Sequence, residues 1–293
     1  MAWRWRRKKN RVGKQLSRIA QVLHWGLRIF LILLFADLFY LTLTWPDWKS
    51  LAAGPVPKSS FIQEYELKRA REKNVPPLNW RPTTLAVVPK HLTRAVILAE
   101  DGRFYKHSGF DMIAFKDAMQ YNYEKGRLVL GASTISQQTV KNLFLSPSRN
   151  PVRKWHELVL TWGMEQNLNK RRILELYLNV AEFGRGIYGV QAAAHAYFGT
   201  SVADLTPRQS AELVASLPSP VKHNPATRTS YFQKRSQKIL ALMMRFPGDA
   251  VESMPLPLPR ELEPPPREEL ILPPPPPNGE EEAGDEEEAP AVR

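Results

Sequence analysis

The chain of 293 residues contains no cysteine, so its fold uses neither disulfide bonds nor thiolate metal ligands. It also lacks any internal repeat and any series of alternating strands. From Val87 to about Pro247 the apolar positions recur almost throughout at helical spacing. The length allows one core of good size, with residues left over at both ends. The sequence therefore predicts a mainly α-helical domain flanked by segments of different character.

Acidic residues are absent from residues 1–28, which carry nine Lys and Arg residues. Residues 252–293, in contrast, carry twelve Asp and Glu residues against three Arg, a net charge of −9. The whole chain has a net charge of +12, so everything before this tail is strongly basic. A basic surface suits an anionic partner such as nucleic acid, acidic lipid or a phosphate-bearing substrate, and charge alone does not choose among them.

One apolar run ends at Trp45 and is just long enough to cross a bilayer when it is counted from Gly26. Because basic residues precede it, we expect a single transmembrane helix at 26–45 in the cytoplasmic (inner) membrane. The basic segment 1–25 would then be cytoplasmic, and the rest of the chain extracytoplasmic or periplasmic. A signal peptide cleaved near Ala52 is the alternative that the length of the run disfavours, and a buried core helix is disfavoured by the flanking charge.

Asp37 is the only charged residue between Ile29 and Trp45. An aspartate near the middle of a membrane span costs about 3 kcal/mol on insertion scales. We therefore expect its carboxylate to face a partner or a helix interface, the alternative being that the bilayer simply tolerates it.

Composition divides the rest of the chain into three parts. Residues 46–80 are predicted to be a juxtamembrane connector, and residues 81–250 the helical domain. Residues 251–293 are rich in Pro and Glu, cannot bury a core and are predicted to be disordered.

Capping residues mark the expected helix boundaries. Pro89 is placed to open a helix, and Asp111 and Ser133 are natural N-caps for the two that follow. Thr206 begins a capping box with proline at the first helical position, and Ser230 begins another before the last long helix.

The first polar cluster runs from Glu100 to Asp111 with the sequence EDGRFYKHSGFD. Glu100 and Asp101 end an apolar helix and lead into a loop that contains glycine and histidine. A carboxylate at such a junction can be partly withdrawn from water and can serve as a general base. Taken by composition alone, a pair of solvated residues at a helix end is the commoner case.

The second cluster runs from Gly131 to Asn142 with the sequence GASTISQQTVKN. On a helix, Thr134, Gln138 and Lys141 are spaced i, i+4 and i+7 and share one face about 10 Å long. This face would offer a hydroxyl, an amide and a cation to a long polar ligand such as a sugar phosphate. A solvated helix face is the alternative.

The third cluster begins at Arg153 and ends at Glu157, which lie four residues apart and so share a helix face. As a surface pair they would contribute only about 0.3 kcal/mol. A cation beside a second carboxylate is, however, what a reaction with a phosphate leaving group requires.

Three other patterns are set aside. The GxGxxG that begins at Gly184 follows a helical pattern and not a strand, which argues against a dinucleotide site. The HExxH pattern that His156 begins fails because position 160 is Leu. The SxxK at Ser219 lies in a proline-rich loop without a Lys-Thr-Gly partner.

In order and spacing, these clusters closely resemble the peptidoglycan glycosyltransferases, a family that includes monofunctional transglycosylases and the glycosyltransferase domain of bifunctional penicillin-binding proteins. The resemblance covers roughly residues 85–225 and looks like the monofunctional type, because the chain leaves no room for a transpeptidase domain. The motifs that carry it are EDxxFxxHxGxD (100–111), GxSTIxQQxxKN (131–142), RKxxE (153–157), ILELYLN (173–179) and GVxxAAxxYFG (189–199).

The resemblance implies a mainly α, lysozyme-like glycosyltransferase domain after the transmembrane helix, with a small jaw lobe against the membrane. Glu100 would take the proton of the acceptor 4-hydroxyl of lipid II. The oxygen would then attack, with inversion, the anomeric carbon of a growing chain that carries polyprenyl pyrophosphate. Glu157 would assist departure of the pyrophosphate, directly or through a divalent cation, and Lys141 and Arg153 would neutralise it.

The same resemblance implies the remaining site residues and partners. Substrate-binding residues are Asp101, Phe104, His107, Ser133, Thr134, Gln137, Gln138, Lys141, Asn142, Arg153 and Lys154. A divalent cation, Mg²⁺ or Mn²⁺, is the candidate cofactor, its ligands are not indicated, and no organic cofactor is expected. The partners are lipid II, nascent lipid-linked glycan, the membrane and proteins of cell-wall synthesis or division, with no nucleic acid.

Two other functions remain open at this point. A lysozyme-like enzyme that cleaves glycan would share the fold and one catalytic glutamate, but it would have no use for the Gln, Lys and Arg set. A catalytically silent scaffold for wall assembly would have no need of intact carboxylates.

Overall fold

The computed structural model describes residues 2–127, 131–148 and 150–246, with side chains described from Ala20 onward. The predicted disordered tail therefore lies outside the described residues, as do the side chains of most of the basic segment 1–25.

Eleven α-helices account for most of the described part of the chain, and their bounds place the catalytic motifs at helix ends. They are α1 Ala2–Leu43, α2 Trp48–Ala53, α3 Ser60–Arg71, α4 Lys90–Glu100, α5 Met112–Glu124, α6 Ile135–Phe144, α7 Pro151–Asn167, α8 Lys170–Val180, α9 Val190–Phe198, α10 Pro207–Ser216 and α11 Ser230–Arg245. Short 3-10 turns lie at Leu85–Val87, Phe104–Lys106 and Val202–Asp204. The prediction of a mainly α fold is confirmed.

A small three-stranded sheet was not predicted from the sequence. Its strands are β1 Asn79–Trp80, β2 Glu182–Gly184 and β3 Ile187–Tyr188, in the order β1-β3-β2. β2 and β3 pair antiparallel as a hairpin, and β1 pairs with β3 in parallel. Strands of two or three residues are too short to produce a visible alternation of apolar and polar residues.

α8 begins with a polar first turn and enters the core of the domain from Ile173 onward. Ile173, Leu174, Leu176 and Tyr177 are each at most 1% exposed, because the apolar face of this amphipathic helix packs into the core. α6 packs against α8 and α7, while α4, α10 and α11 pack together. The residues of the first two motifs therefore lie on helices that a common core fixes.

α1 carries the one apolar stretch among the described residues that is long enough to cross a membrane, Ala20–Leu43. Its large apolar side chains are mostly exposed, as expected for a helix that faces lipid. The stretch begins earlier than the predicted start at residue 26, because the helix continues through this region, and the helix ends at Leu43, before Trp45.

The predicted connector 46–80 is packed against the domain. Trp48, Leu51, Ile62 and Val75 in this segment are buried. Arg172 of α8 donates to the carbonyl oxygens of residues 51 and 54, at 2.7 and 2.6 Å. The chain from the end of α1 to the domain is therefore a structural part of the fold.

Two of the predicted caps are displaced by one residue. Thr134, not Ser133, caps α6, and Thr229, not Ser230, caps α11. In both places two hydroxyl residues stand side by side, and sequence alone favours neither. Asp111 caps α5 and Thr206 forms the capping box of α10, as predicted.

Candidate active site

Glu100 is the last residue of α4 and its side chain is mostly buried, with 13% exposed. Gln138 of α6 donates to Oε2 at 3.0 Å, and Arg235 of α11 approaches Oε1 at 3.2 Å. Each oxygen of the carboxylate is therefore held by a different helix. The remaining exposure is what a group needs if it is to reach a substrate.

The amide of Gln138 is itself oriented by a buried tyrosine. The hydroxyl of Tyr177 donates to its Oε1 at 3.3 Å, so that Nε2 faces Glu100. Burial raises the pKa of Tyr177 well above its ordinary value, and the nearby Glu100 carboxylate raises it further. The tyrosine thus stays protonated and remains a donor.

Asp101 and His107 form a buried pair next to Glu100. The Nδ1 atom of His107 accepts from the backbone N–H of Gly109 at 3.2 Å, so Nε2 carries the proton and donates to Asp101 at 2.9 Å. Asp101 Oδ2 also accepts from the backbone N–H of Ile135 at 3.0 Å, at the start of α6. This pair ties the loop after α4 to α6 and holds Glu100 and Gln138 in register.

Asp101, His107 and Asp111 are the one group of three metal-ligand side chains that the described residues bring within 4.8 Å of one another. Their lone pairs are already used, because Asp111 Oδ1 accepts two backbone N–H groups of α5 and Oδ2 pairs with Arg103 at 3.1 Å. The positive charge of Arg103 in this cluster would also repel a metal ion. The group fits a hydrogen-bonded network and does not fit a resident metal.

The start of α6 is fixed by a reciprocal cap. The Thr134 hydroxyl accepts a hydrogen bond from the backbone N–H of Gln137, and the side-chain Oε1 of Gln137 accepts one from the backbone N–H of Thr134. The Thr134 hydroxyl also donates to the carbonyl oxygen of Gly109 at 2.7 Å. Both side chains are buried and engaged, so the predicted ligand face retains only Gln138 and Lys141.

Glu157 lies on α7 and is only 2% exposed. Arg153 donates to its Oε2 at 2.9 Å, one turn earlier on the helix, and Lys154 pairs with Oε1. The Nε atom of Arg153 is buried without a hydrogen-bond partner in the described part of the chain.

Lys141 connects the two carboxylates electrostatically. Burial lowers the pKa of its ammonium, while the charges of Glu157 and, more weakly, Glu100 raise it. Arg153 lowers the pKa further, as a nearby cation should. Lys141 is therefore near enough to interact electrostatically with both acids and with Arg153 and Lys154.

Several predicted substrate contacts take another role in the structure. Phe104 is fully buried, packs against the ring of His107 and cannot contact a substrate. Asp101, Asn142 and the side chain of His107 are also buried, and Asp101 and His107 bind each other behind Glu100. Ser133 is exposed and does not cap α6.

The GxGxxG segment was expected to follow a helix and not a strand, and this expectation is wrong. Gly184 ends strand β2, and Gly189 precedes helix α9. The segment is a tight hairpin in which Gly186 has φ +76°. Its two strands are adjacent and antiparallel, whereas a dinucleotide fold needs a strand that enters a βαβ unit.

Comparison with known proteins agrees with this geometry. A family model described as Transglycosylase matches residues 69–244. Proteins named biosynthetic peptidoglycan transglycosylase are similar to the chain. The one from Nitrosospira multiformis is 43% identical over 188 residues, covering 64% of this chain and 82% of its own. The one from Herminiimonas arsenicoxydans is 38% identical over 216 residues, covering 73% and 91%.

The chain therefore belongs to the transglycosylase family. The sequence-based identification as a peptidoglycan glycosyltransferase is confirmed. The match begins at residue 69, inside the segment predicted as a connector, in agreement with the packing of that segment on the domain.

Sequence reasoning missed Arg235 and Tyr177 as parts of the site. Arg235 is 5% exposed and lies 135 residues from Glu100 along the chain. Its only sequence signal is a charge on the inner face of an amphipathic helix, between the apolar positions Phe232 and Ile239. Tyr177 is equally inconspicuous, since it stands in the apolar run of α8.

Proposed function

We propose that the chain polymerises lipid II into glycan strands by inverting transfer, with release of polyprenyl pyrophosphate, as part of cell-wall biogenesis. The observation that carries the proposal is the pair of held carboxylates: Glu100 is bound by Gln138 and Arg235, and Glu157 by Arg153 and Lys154. The ammonium of Lys141 interacts electrostatically with both. One carboxylate keeps a partial opening to solvent, and the other is enclosed by cations.

Glu100 is the general base in this proposal. It accepts the proton of the acceptor 4-hydroxyl, and the oxygen attacks the anomeric carbon of the donor. Arg235 and Gln138 fix the direction of the carboxylate, which matters because general-base catalysis depends first on geometry. Asp101 and His107 act as positioning residues behind it.

The pyrophosphate leaves toward Lys141, Arg153 and Lys154. Three cations in fixed positions stabilise the charge that develops on the leaving oxygen. Glu157 holds two of these side chains in place and so assists departure indirectly.

No divalent cation takes part in the proposed reaction. Glu157 is already paired with Arg153 and Lys154, and the same positive charge would repel a metal. In this proposal the protein's own cations neutralise the pyrophosphate.

The chain is attached to the membrane by α1, with the basic N-terminus in the cytoplasm and the domain outside. The charge bias around the span supports this orientation. Protease added to spheroplasts should then digest the domain after Trp45. Protection of the domain would contradict the orientation. Association with proteins of cell-wall synthesis or division belongs to the same proposal.

Incubation of the purified full chain with labelled lipid II tests the function. Polymerised glycan and free polyprenyl pyrophosphate are the expected products. Release of fragments from preformed glycan would indicate a cleaving enzyme, and no reaction with either substrate would indicate a scaffold.

A further inference from the structure

Asp37, the charge within the membrane span, is bound by the catalytic domain. Its Oδ1 lies 2.6 Å from Nε2 of His156, and its Oδ2 accepts from Nε1 of Trp155 at 3.0 Å. The ring of Tyr40, one turn further along α1, stacks on His156 at a centroid distance of 5.8 Å. Both carboxylate oxygens are thus engaged by α7, in agreement with the expectation that Asp37 faces a helix interface.

A second contact joins the same two segments about two turns further on. A Cβ atom placed on Gly163 of α7 would lie 2.8 Å from the indole of Trp45, so this glycine allows the indole to approach the helix closely. His156 and Gly163 are seven residues apart and share one stripe of α7. Asp37 and Trp45 contact them in the same order, so the end of α1 and the residues after it run parallel to α7.

A different side of α7 carries residues of the candidate active site. His156 and Glu157 are neighbours in sequence, and the helix turns about 100° between them. One side of α7 therefore carries the anchor contacts, and another carries Glu157 and Arg153. A rigid helix cannot move one set without moving the other.

We infer that Asp37 and His156 are positioning residues that fix α7, and with it the leaving-group cations, relative to the membrane anchor. The inference rests on the proposed function, because it assigns Arg153, Lys154 and Glu157 to the pyrophosphate. A lipid-linked pyrophosphate lies at a membrane surface, so the height of these side chains above the bilayer is part of the geometry of the reaction.

The Asp37 carboxylate makes it energetically favourable for α7 to pack against α1. An aspartate in hydrocarbon without partners is unfavourable, whereas the docked domain gives each of its oxygens a donor. The anchored chain therefore favours the state in which α7 lies against α1. An apolar residue at position 37 would insert equally well and would remove this preference.

Turnover of lipid II by the full chain tests the role. Asp37→Leu and His156→Leu should each lower kcat on the order of tenfold, with little change in KM, because a displacement of about 1 Å can cost up to 100-fold. The double variant should be no slower than either single one, because both remove the same contact. His156→Gln keeps an N–H donor at the reach of Nε2 and should restore most of the rate.

Phe35→Leu is the matched control on α1, because Phe35 is 73% exposed and lies away from the domain. It should leave kcat unchanged. Thermal unfolding of the domain should be the same in all these variants. Wild-type turnover in both leucine variants would overturn the inference, as would a Gln variant as slow as His156→Leu.

Cross-linking tests the docking without any activity. The chain has no cysteine, so Trp45→Cys with Gly163→Cys supplies the only two thiols, which a short bismaleimide should join in membranes. Addition of Asp37→Leu should lower the yield, and Phe35→Cys with Gly163→Cys, in a chain that also carries Trp45→Ala to make room for the new side chain, should give little product. If the yield of cross-linked product stays the same when Asp37→Leu is added, the docking is contradicted. An inactive wild type with normal cross-linking would contradict the proposed function instead.

Discussion

The two carboxylates of the candidate active site are held in different ways. Glu100 takes its partners from α6 and α11, which are distant in sequence and fixed by the domain core. Glu157 takes both of its cations from the preceding turn of its own helix. The geometry of the base therefore depends on the whole fold. The leaving-group side depends on one helix, and that helix is attached to the membrane anchor.

This difference suggests a division of labour. The base must meet a hydroxyl at a fixed angle, which a rigid core provides. The leaving-group cations must meet a phosphate at the membrane surface, which a helix tied to the anchor provides. Substitutions on the two sides should therefore have distinguishable effects, and the predictions below compare them in order of expected size.

The largest loss is expected for Glu100→Gln. Glutamine keeps the size of the side chain and can still hydrogen-bond, but it cannot accept the acceptor's proton. Polymerisation of lipid II should fall by about 10²–10⁴. Glu66→Gln, on an exposed surface pair with Lys58, is the matched control and should retain full activity. Circular dichroism should show an intact fold, and near-normal turnover would remove the base assignment.

Lys141→Ala and Arg153→Ala should each slow turnover by about 10²–10³, the usual cost of losing one fixed electrostatic stabiliser. Neither should unfold the protein. Arg71→Ala, an exposed cation on α3, controls for a general loss of positive charge. If both variants turn over lipid II at near the wild-type rate, the pyrophosphate leaves by another route.

A smaller loss is expected for Arg235→Ala, on the order of 10–100-fold, because the base remains but loses one of its two supports. Arg235→Lys keeps the charge and should recover part of the rate. Lys238→Ala, which is exposed on the same helix, should have no effect. Equal rates for the alanine and lysine variants would mean that the charge near Glu100 does not matter.

The smallest effect concerns stability alone. Glu182 is a half-buried carboxylate without an ion pair in the described part of the chain, and desolvation raises its pKa from 4.5 to about 7. Between these two values the folded state keeps a proton that the unfolded state loses. The free energy of unfolding therefore falls as pH rises through this window, by up to about 3 kcal/mol above pH 7.

Glu182→Gln removes this pH dependence. The variant should unfold at a higher temperature than the wild type at pH 8 and at the same temperature at pH 4.5. Thermal melts followed by circular dichroism at the two pH values measure the difference. If the unfolding temperature of the wild type rose relative to that of the variant as the pH increased, the pH dependence would have the opposite sign and the assignment would be contradicted.

Local contacts were predictable from the sequence, and long-range ones were not. Arg153 and Glu157 form the pair that their spacing predicts, because a helix fixes neighbours four residues apart. No spacing rule relates Arg235 to Glu100, or His156 to Asp37. For Asp37 the sequence indicated that a partner was needed, but only the fold shows which one.

Some residues of the predicted ligand set are buried or already hydrogen-bonded in the structure, for a related reason. A sequence motif contains both residues that face the substrate and residues that stabilise the loop, and the sequence alone does not show which is which. Phe104 and Thr134 belong to the second kind, since one is buried in the core and the other caps α6. In the proposed mechanism Gln138 and Lys141 belong to the first, because Gln138 binds Glu100 and Lys141 interacts electrostatically with Glu100 and Glu157.

The most direct test of the division of labour is to compare Glu100→Gln and Glu157→Gln on one preparation of lipid II. Both variants should be folded by circular dichroism. We predict that Glu157→Gln retains clearly more turnover, because Lys141, Arg153 and Lys154 remain, whereas Glu100→Gln has lost the only base in the proposal. A Glu157→Gln protein without activity beside an active Glu100→Gln protein would exchange the two roles and contradict the account.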